Sequence, residues 1–171
     1  MTDPAMNKLL LTSFTTWLPH QTSNSADDLL QVVAQLYPEN IYLRQLPVDI
    51  DLASKSAIAK IQELQPDTII CCGMAERRNL LSIEAQAMNG DDILHTLVDL
   101  PQLIAGIDDI EISYDAGKFV CEGLYYSVLK YLQDYQMPSR CIFVHVPVIN
   151  FDNSAAITTN FLSILHRLTN L

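Results

Sequence analysis

"PDTIICCG", residues 66–73, decides the fold. A proline and an acid open it, a continuous apolar run follows, and Gly73 closes it. An apolar run without alternation, bounded by turn residues, predicts a strand covered on both faces, as in a parallel sheet. "KLLLTSF" (8–14) and "RCIFVHVPVI" (140–149) have the same character, and "IYLRQLPV" (41–48) is strand-like and ends near a proline. Helical spacing fills the gaps. "SADDLLQVVAQLYP" (25–38) has Ser25 at the expected N-cap, acids in the first turn and Pro38 as a stop. "SKSAIAKIQELQP" (54–66) also closes on a proline. Residues 74–90 are less regular. "LPQLIAGI" (100–107) predicts a short helix, "DIEISYD" (109–115) a strand, Cys121–Asp134 a helix, and "SAAITTNFLSILHRLTN" (154–170) a terminal amphipathic helix. This β-α alternation predicts the α/β class: a single domain over residues 1–171, built as a three-layer α/β/α sandwich around a mostly parallel, twisted central sheet.

Composition narrows the function classes. The chain has 171 residues, 49% of them hydrophobic and 18% charged, which suits a globular protein with a real core. Its formal net charge of -10 and the lack of a basic cluster beyond Arg77-Arg78 argue against nucleic acid and anionic membranes as partners. No apolar run reaches the length of a membrane span, and "MTDPAMNKLL" lacks a signal-peptide pattern, so a cytoplasmic protein is expected. Cys71, Cys72, Cys121 and Cys141 form no C-x-x-C pair, which fits free thiols better than a disulfide framework or a zinc site.

In open α/β sheets, ligands bind beyond the carboxyl ends of the strands. That rule brings together Phe14 and Trp17 after the first strand, Met74, Arg78 and, further on, Glu84 after "DTIICCG", Cys121 after the turn that follows "DIEISYD", and His145 near the end of "CIFVHVP". A thiol at a helix start is favoured as thiolate by the helix N-terminus, whose free N–H groups can also hold an oxyanion. An imidazole can take the thiol proton, and a carboxylate can orient that imidazole. Other readings stand beside this one. By composition alone Cys121 is a core sulfur, His145 a satisfied core histidine, Glu84 a solvated acid, and Phe14 and Trp17 packing residues. Cys71, Cys72 and Cys141 are expected to be structural, and His20 and His166 superficial. Asp91, Asp92 and His95 are expected as a cap and a solvated face; no metal site is expected.

These residues lie in four blocks that resemble the pyroglutamyl peptidase I family of cysteine peptidases. "LLLTSFTTW", followed by Asn24, resembles the family's first strand and G-F-x-P-F turn. "PDTIICCGMAERRNLLSIEAQAMN" resembles P-D-x-x-I-x-x-G-x-A-G-G-R running on to E-R-x-A-x-N. "SYDAGKFVCEGLYYSVL" resembles S-x-x-A-G-x-[FY]-[VL]-C-N, and "FVHVPVI" resembles F-I-H-[VI]-P. The resemblance implies a Cys121, His145, Glu84 triad that removes a pyroglutamyl group from a peptide with a blocked N-terminus, without metal or cofactor. It implies a substrate pocket of Phe14, Trp17, Met74, Phe119 and Val120, with Arg78, Asn89 and Asn24 in support. Met74 stands where the family has a glutamine, Glu76 and Arg77 where it has glycines, and Glu122 where it has an asparagine. Glu122 is expected to raise the thiol pKa by like-charge repulsion. The segment between Asn89 and Tyr114 is shorter than in typical members. Family members often associate, so a homo-oligomer is an open expectation. The alternative implied by the departures is a weakened or inactive member that binds a small ligand or a protein partner.

Overall fold

The computed structural model describes residues 7–171. The first six residues of "MTDPAMNKLL", the stretch expected to lack a signal pattern, lie outside them. In chain order the elements are β1 (Leu9–Phe14), α1 (Ser25–Leu36), β2 (Ile41–Leu46), α2 (Ile50–Leu64), β3 (Thr68–Met74), β4 (Leu81–Glu84), β5 (Gln86–Asn89), β6 (Asp92–His95), α3 (Leu100–Ile104), β7 (Ile110–Ser113), α4 (Val120–Asp134), β8 (Arg140–Val146) and α5 (Ser154–Thr169). Six strands form one sheet in the order β2-β1-β3-β8-β4-β7, and β5 and β6 form a separate two-stranded hairpin.

The "DTIICCG" run is the centre of this sheet. β3 pairs in parallel with β1 on one side and β8 on the other, and Thr68 to Gly73 are all buried. Successive side chains of a strand point to opposite faces, so the run feeds two cores at once. Ile70 and Cys72 pack with Ile142, Val144 and Val146 beneath α1, α3 and α5. Ile69 and Cys71 pack with Cys141 and Phe143 beneath α2 and α4. That is the expected α/β/α layering, with a mostly parallel sheet.

Two expectations need correction. The cap of α1 is Asn24, not Ser25: the Asn24 side chain accepts from the backbone N–H groups of Ala26 and Asp27, and Ser25 is already helical. The less regular residues 74–90 contain two short strands: β4, which enters the main sheet, and β5, half of the hairpin. Strands of four residues are too short to display a period, so their pairing comes from neighbours rather than from local pattern. Asp92 and His95 accordingly lie on β6 rather than at a helix cap.

β4 also changes the sheet's direction. It is antiparallel to β8 and parallel to β7, so β4 and β7 run against the other four strands. Behind the first strand, Asp27 ties three elements together: it accepts from Ser13 Oγ at 2.6 Å and from Arg44 Nε at 2.8 Å. No helix among the described residues is long and apolar enough to cross a membrane.

Candidate active site

The site is built where α4 starts over the ends of β3 and β8. Cys121 is the second residue of α4, whose cap position, Phe119, offers no side-chain hydrogen bond. The first intrahelical bond runs from Gly123 N–H to Phe119 C=O. The N–H groups before it have no partner within the helix, as at any helix start. Cys121 is half-buried, whereas the other three cysteines are buried.

Gly73 sets the sulfur's place. A Cβ built on Gly73 would sit 2.5 Å from Cys121 Sγ and 3.0 Å from Phe143 Cζ, so the sulfur occupies the space a side chain would take. Gly73 is the register partner of His145. Neighbouring strands are about 4.8 Å apart, so Cys121 Sγ rests over the strand next to the imidazole. Gly73 closes the "PDTIICCG" run but is not among the site residues expected from the sequence. The only local signal for it is a glycine ending a strand of bulky residues.

Glu84 lies at the end of β4 with its side chain fully buried. It reaches the site from the face of the sheet, because β4 runs antiparallel to β8; the carboxyl-end rule does not bring it there. His145 Nδ1 donates to Glu84 Oε1 at 2.6 Å. An ionised carboxylate can only accept, which fixes the proton on Nδ1 and leaves Nε2 as the free nitrogen. Phe143 packs against the same ring, with centroids 4.8 Å apart. Arg78 Nη1 donates to the same Glu84 oxygen at 2.6 Å, and its Nη2 reaches Ser113 Oγ at 3.2 Å and Asp115 C=O at 2.7 Å. Arg78 thus joins the carboxylate to the turn that leads into α4. Burial alone would raise the Glu84 pKa, but the hydrogen bond from His145, the Ser113 hydroxyl and the charges of His145 and Arg78 outweigh it, and the carboxyl is held below its ordinary value.

Cys121 is pushed the other way, up to about 12. Burial is the main cause; the Glu84 carboxylate and Cys71 add to it, while Arg78 and the backbone N–H of Cys121 oppose it. The expected repulsion from Glu122 is not among these causes. Glu122 is itself buried, and it accepts from the Met88 backbone N–H at 3.1 Å. It fastens the β5–β6 hairpin to α4 instead of facing the sulfur. In the resting protein Cys121 is therefore a thiol. Its alkylation by iodoacetamide, followed by peptide mapping, is expected to climb about tenfold per pH unit from about pH 6 to about pH 10 without a plateau. A plateau with a midpoint below about pH 8 would contradict this.

The remaining sequence-derived residues fall in several places. Trp17 and Phe119 are both largely exposed and face each other, with centroids 5.5 Å apart and tilted by 49°. Phe14 and Val120 pack into the core beneath α2 and α4. Met74 ends β3, and its Sδ accepts from the Ser25 backbone N–H at 3.4 Å. Asn24, besides capping α1, donates to Thr15 C=O at 3.3 Å. Asn89 is exposed at the end of β5 and lines a cavity of about 300 Å³ with Phe119 and Glu122. Glu76 holds the turn after Trp17, receiving a hydrogen bond from Gln21 Nε2 and pairing with His20 at 3.0 Å. No cluster of three or more His, Cys, Asp or Glu that could hold a metal ion occurs among the described residues.

Residues 104–163, which include Cys121 and His145, match the family model described as pyroglutamyl peptidase. Over that segment the chain is similar to the pyroglutamyl peptidases. It is 27% identical to pyrrolidone-carboxylate peptidase 2 of Caldanaerobacter subterraneus, over 83% of this chain and 82% of that protein. It is 26% identical to the pyrrolidone-carboxylate peptidase of Vibrio vulnificus, over 88% of this chain and 83% of that one. Among solved structures, pyroglutamyl peptidase I of Bacillus amyloliquefaciens superimposes with a TM-score of 0.83 at 19% identity, covering 96% of this chain and 98% of that chain. The pyrrolidone carboxyl peptidase of Fervidobacterium islandicum gives 0.82 at 18% identity, covering 95% and 98%. The fold of the pyroglutamyl peptidases is thus present along nearly the whole chain.

Proposed function

We propose that this protein is a cysteine exopeptidase that removes an N-terminal pyroglutamyl group from peptides, with Cys121 as nucleophile, His145 as acid and base, and Glu84 as the group that orients the imidazole and stabilises the charge it gains. The observation that carries this reading is the buried His145–Glu84 hydrogen bond of 2.6 Å beside a sulfur seated over Gly73.

The chemistry follows from the resting state. A thiol with a pKa near 12 does not attack as a preformed thiolate. His145 Nε2 takes the proton as Cys121 Sγ bonds to the pyroglutamyl carbonyl carbon. Positive charge then builds on the ring, and the Glu84 carboxylate stabilises it. The oxyanion lies at the start of α4, where free N–H groups meet developing negative charge. The C–N bond breaks, the imidazolium returns its proton to the leaving amine, and a thioester remains. Water, deprotonated by His145, attacks the thioester; pyroglutamate leaves and the thiol is restored. The lactam ring is flat and uncharged, so Trp17 and Phe119 can hold it by stacking and apolar burial without an opposing charge.

A fluorogenic pyroglutamyl amide tests the substrate class. Hydrolysis is expected with the pyroglutamyl amide and, at least about a hundredfold slower, with the prolyl and glutamyl amides, whose charged amine would lose its hydration on entering between Trp17 and Phe119. Equal rates for the three, or none above a buffer blank, would overturn the assignment; the second result would favour a member that only binds.

Gly73→Ala provides a second measurement. The new Cβ displaces Cys121 Sγ, and a shift of about 1 Å at a reacting atom costs about a hundredfold in rate. Crowding against Phe143 adds a stability loss of about 1–3 kcal/mol, read by urea denaturation. An unchanged rate would remove Gly73 from the site.

A further inference from the structure

A second cavity, of about 520 Å³, lies away from Cys121. It sits between the C-terminal half of α4, strand β6 and the start of β8, with Leu94, Leu129, Leu132 and Met137 among its walls. Leu132 is eleven residues beyond Cys121 on one helix, or about 16 Å along its axis. Arg140 opens β8, whereas His145 stands near its other end. One wall is held in place: Thr96 Oγ, just past β6, donates to the Cys141 backbone carbonyl at 2.6 Å.

Charge distinguishes this cavity from the rest of the surface. The chain has 20 acidic residues against 10 Lys and Arg, yet no residue lining the cavity is acidic. Arg140 lines it, and among the described residues its guanidinium has no hydrogen-bond or ion-pair partner. Arg44 is committed to Asp27, Arg78 to Glu84, and Arg167 to the carbonyls of Leu103 and Ala105; Arg77 does not line the cavity. The His95 imidazole, also on the lining, is likewise without a side-chain partner among the described residues.

We propose that this cavity is a second binding site, for an apolar carboxylate whose tail lies among Leu94, Leu129, Leu132 and Met137 and whose charge is met by Arg140. The size is that of a small-molecule site, and apolar walls with a few polar groups are the usual composition of one. A guanidinium fork matches a carboxylate in two parallel hydrogen bonds, which an alcohol cannot accept and an ammonium opposes. The ligand is therefore an acyl or arylalkyl carboxylate. It is bound independently of the peptide at Cys121, so this site stands or falls separately from the proposed peptidase activity.

Titration calorimetry on the full chain with decanoate, below its micelle concentration, tests the site. Saturable one-to-one binding is expected. Affinity falls about fourfold for each methylene removed as the chain is shortened to octanoate. Decanol binds at least about tenfold more weakly, and decylamine gives no saturable binding. Arg140→Gln weakens decanoate about tenfold. Leu97→Glu, at a lining residue that is 88% exposed and so not needed for folding, weakens it by a similar factor by placing an acid at the rim. Lys60→Gln, on α2, none of whose residues lines the cavity, changes nothing. Absence of saturable binding, equal affinity for decanol, or an unchanged affinity in Leu97→Glu would overturn the proposal, as would an equal loss in Lys60→Gln.

Discussion

Cys121→Ser is expected to lower hydrolysis of a pyroglutamyl amide by at least about a thousandfold while leaving the urea midpoint close to that of the parent protein. The oxygen is smaller than sulfur and fits the space over Gly73, so folding is little affected. Its hydroxyl is a far weaker nucleophile in a site shaped for a thiol, and losing a nucleophile costs about three to six orders of magnitude in rate. An electrophilic probe gives a matching readout. Cys71 and Cys72 are fully buried and Cys141 is 2% exposed, so labelling concentrates on half-buried Cys121. Equal hydrolysis by parent and variant, or labelling spread over the four cysteines, would remove Cys121 as nucleophile.

Glu84 separates charge from packing. One buried oxygen accepts from both Arg78 and His145 at 2.6 Å. Glu84→Ala leaves a guanidinium and an imidazole without their acceptor. Breaking a fully buried pair costs about 3–5 kcal/mol. The Arg78 side chain is 24% exposed and keeps Ser113 and Asp115, so about 2–3 kcal/mol is expected in urea denaturation. Glu84→Gln keeps an acceptor oxygen in the same shape, so its stability loss is about 1 kcal/mol. Its hydrolysis rate nevertheless falls about a hundredfold or more, because no negative charge remains to stabilise the imidazolium. Acid titration follows the same logic. The Glu84 pKa is lowered in the folded state, so its stabilisation is fully present above the ordinary carboxylate value and is lost as pH falls through the lowered one. Glu84→Gln should remove that part of the acid dependence. A glutamine variant as active as the parent would show that the charge has no part in the reaction.

The sequence by itself determined the layering and the polar cast. Long elements announce themselves: a run such as Thr68–Cys72 can only be covered on both sides, and α1, α2 and α5 carry several turns of helical spacing. The thiol block and the histidine block were legible because each is continuous along the chain, with Cys121 at a helix start and His145 in a buried strand. Only the tertiary structure decided which of those residues touch. Whether β4 joins the main sheet, and in which direction, depends on backbone hydrogen bonds to a strand some sixty positions away, which four residues of local pattern cannot encode. That pairing places Glu84 on His145 and lets Arg78 close over both. It also separates two acids that look alike in the sequence. Glu122 is next to Cys121 along the chain, yet it turns toward Met88, while Glu84, 37 positions from the sulfur, acts on it. The reason is geometric. A helix directs successive side chains about 100° apart, so chain neighbours diverge, whereas strand register brings distant residues onto one face.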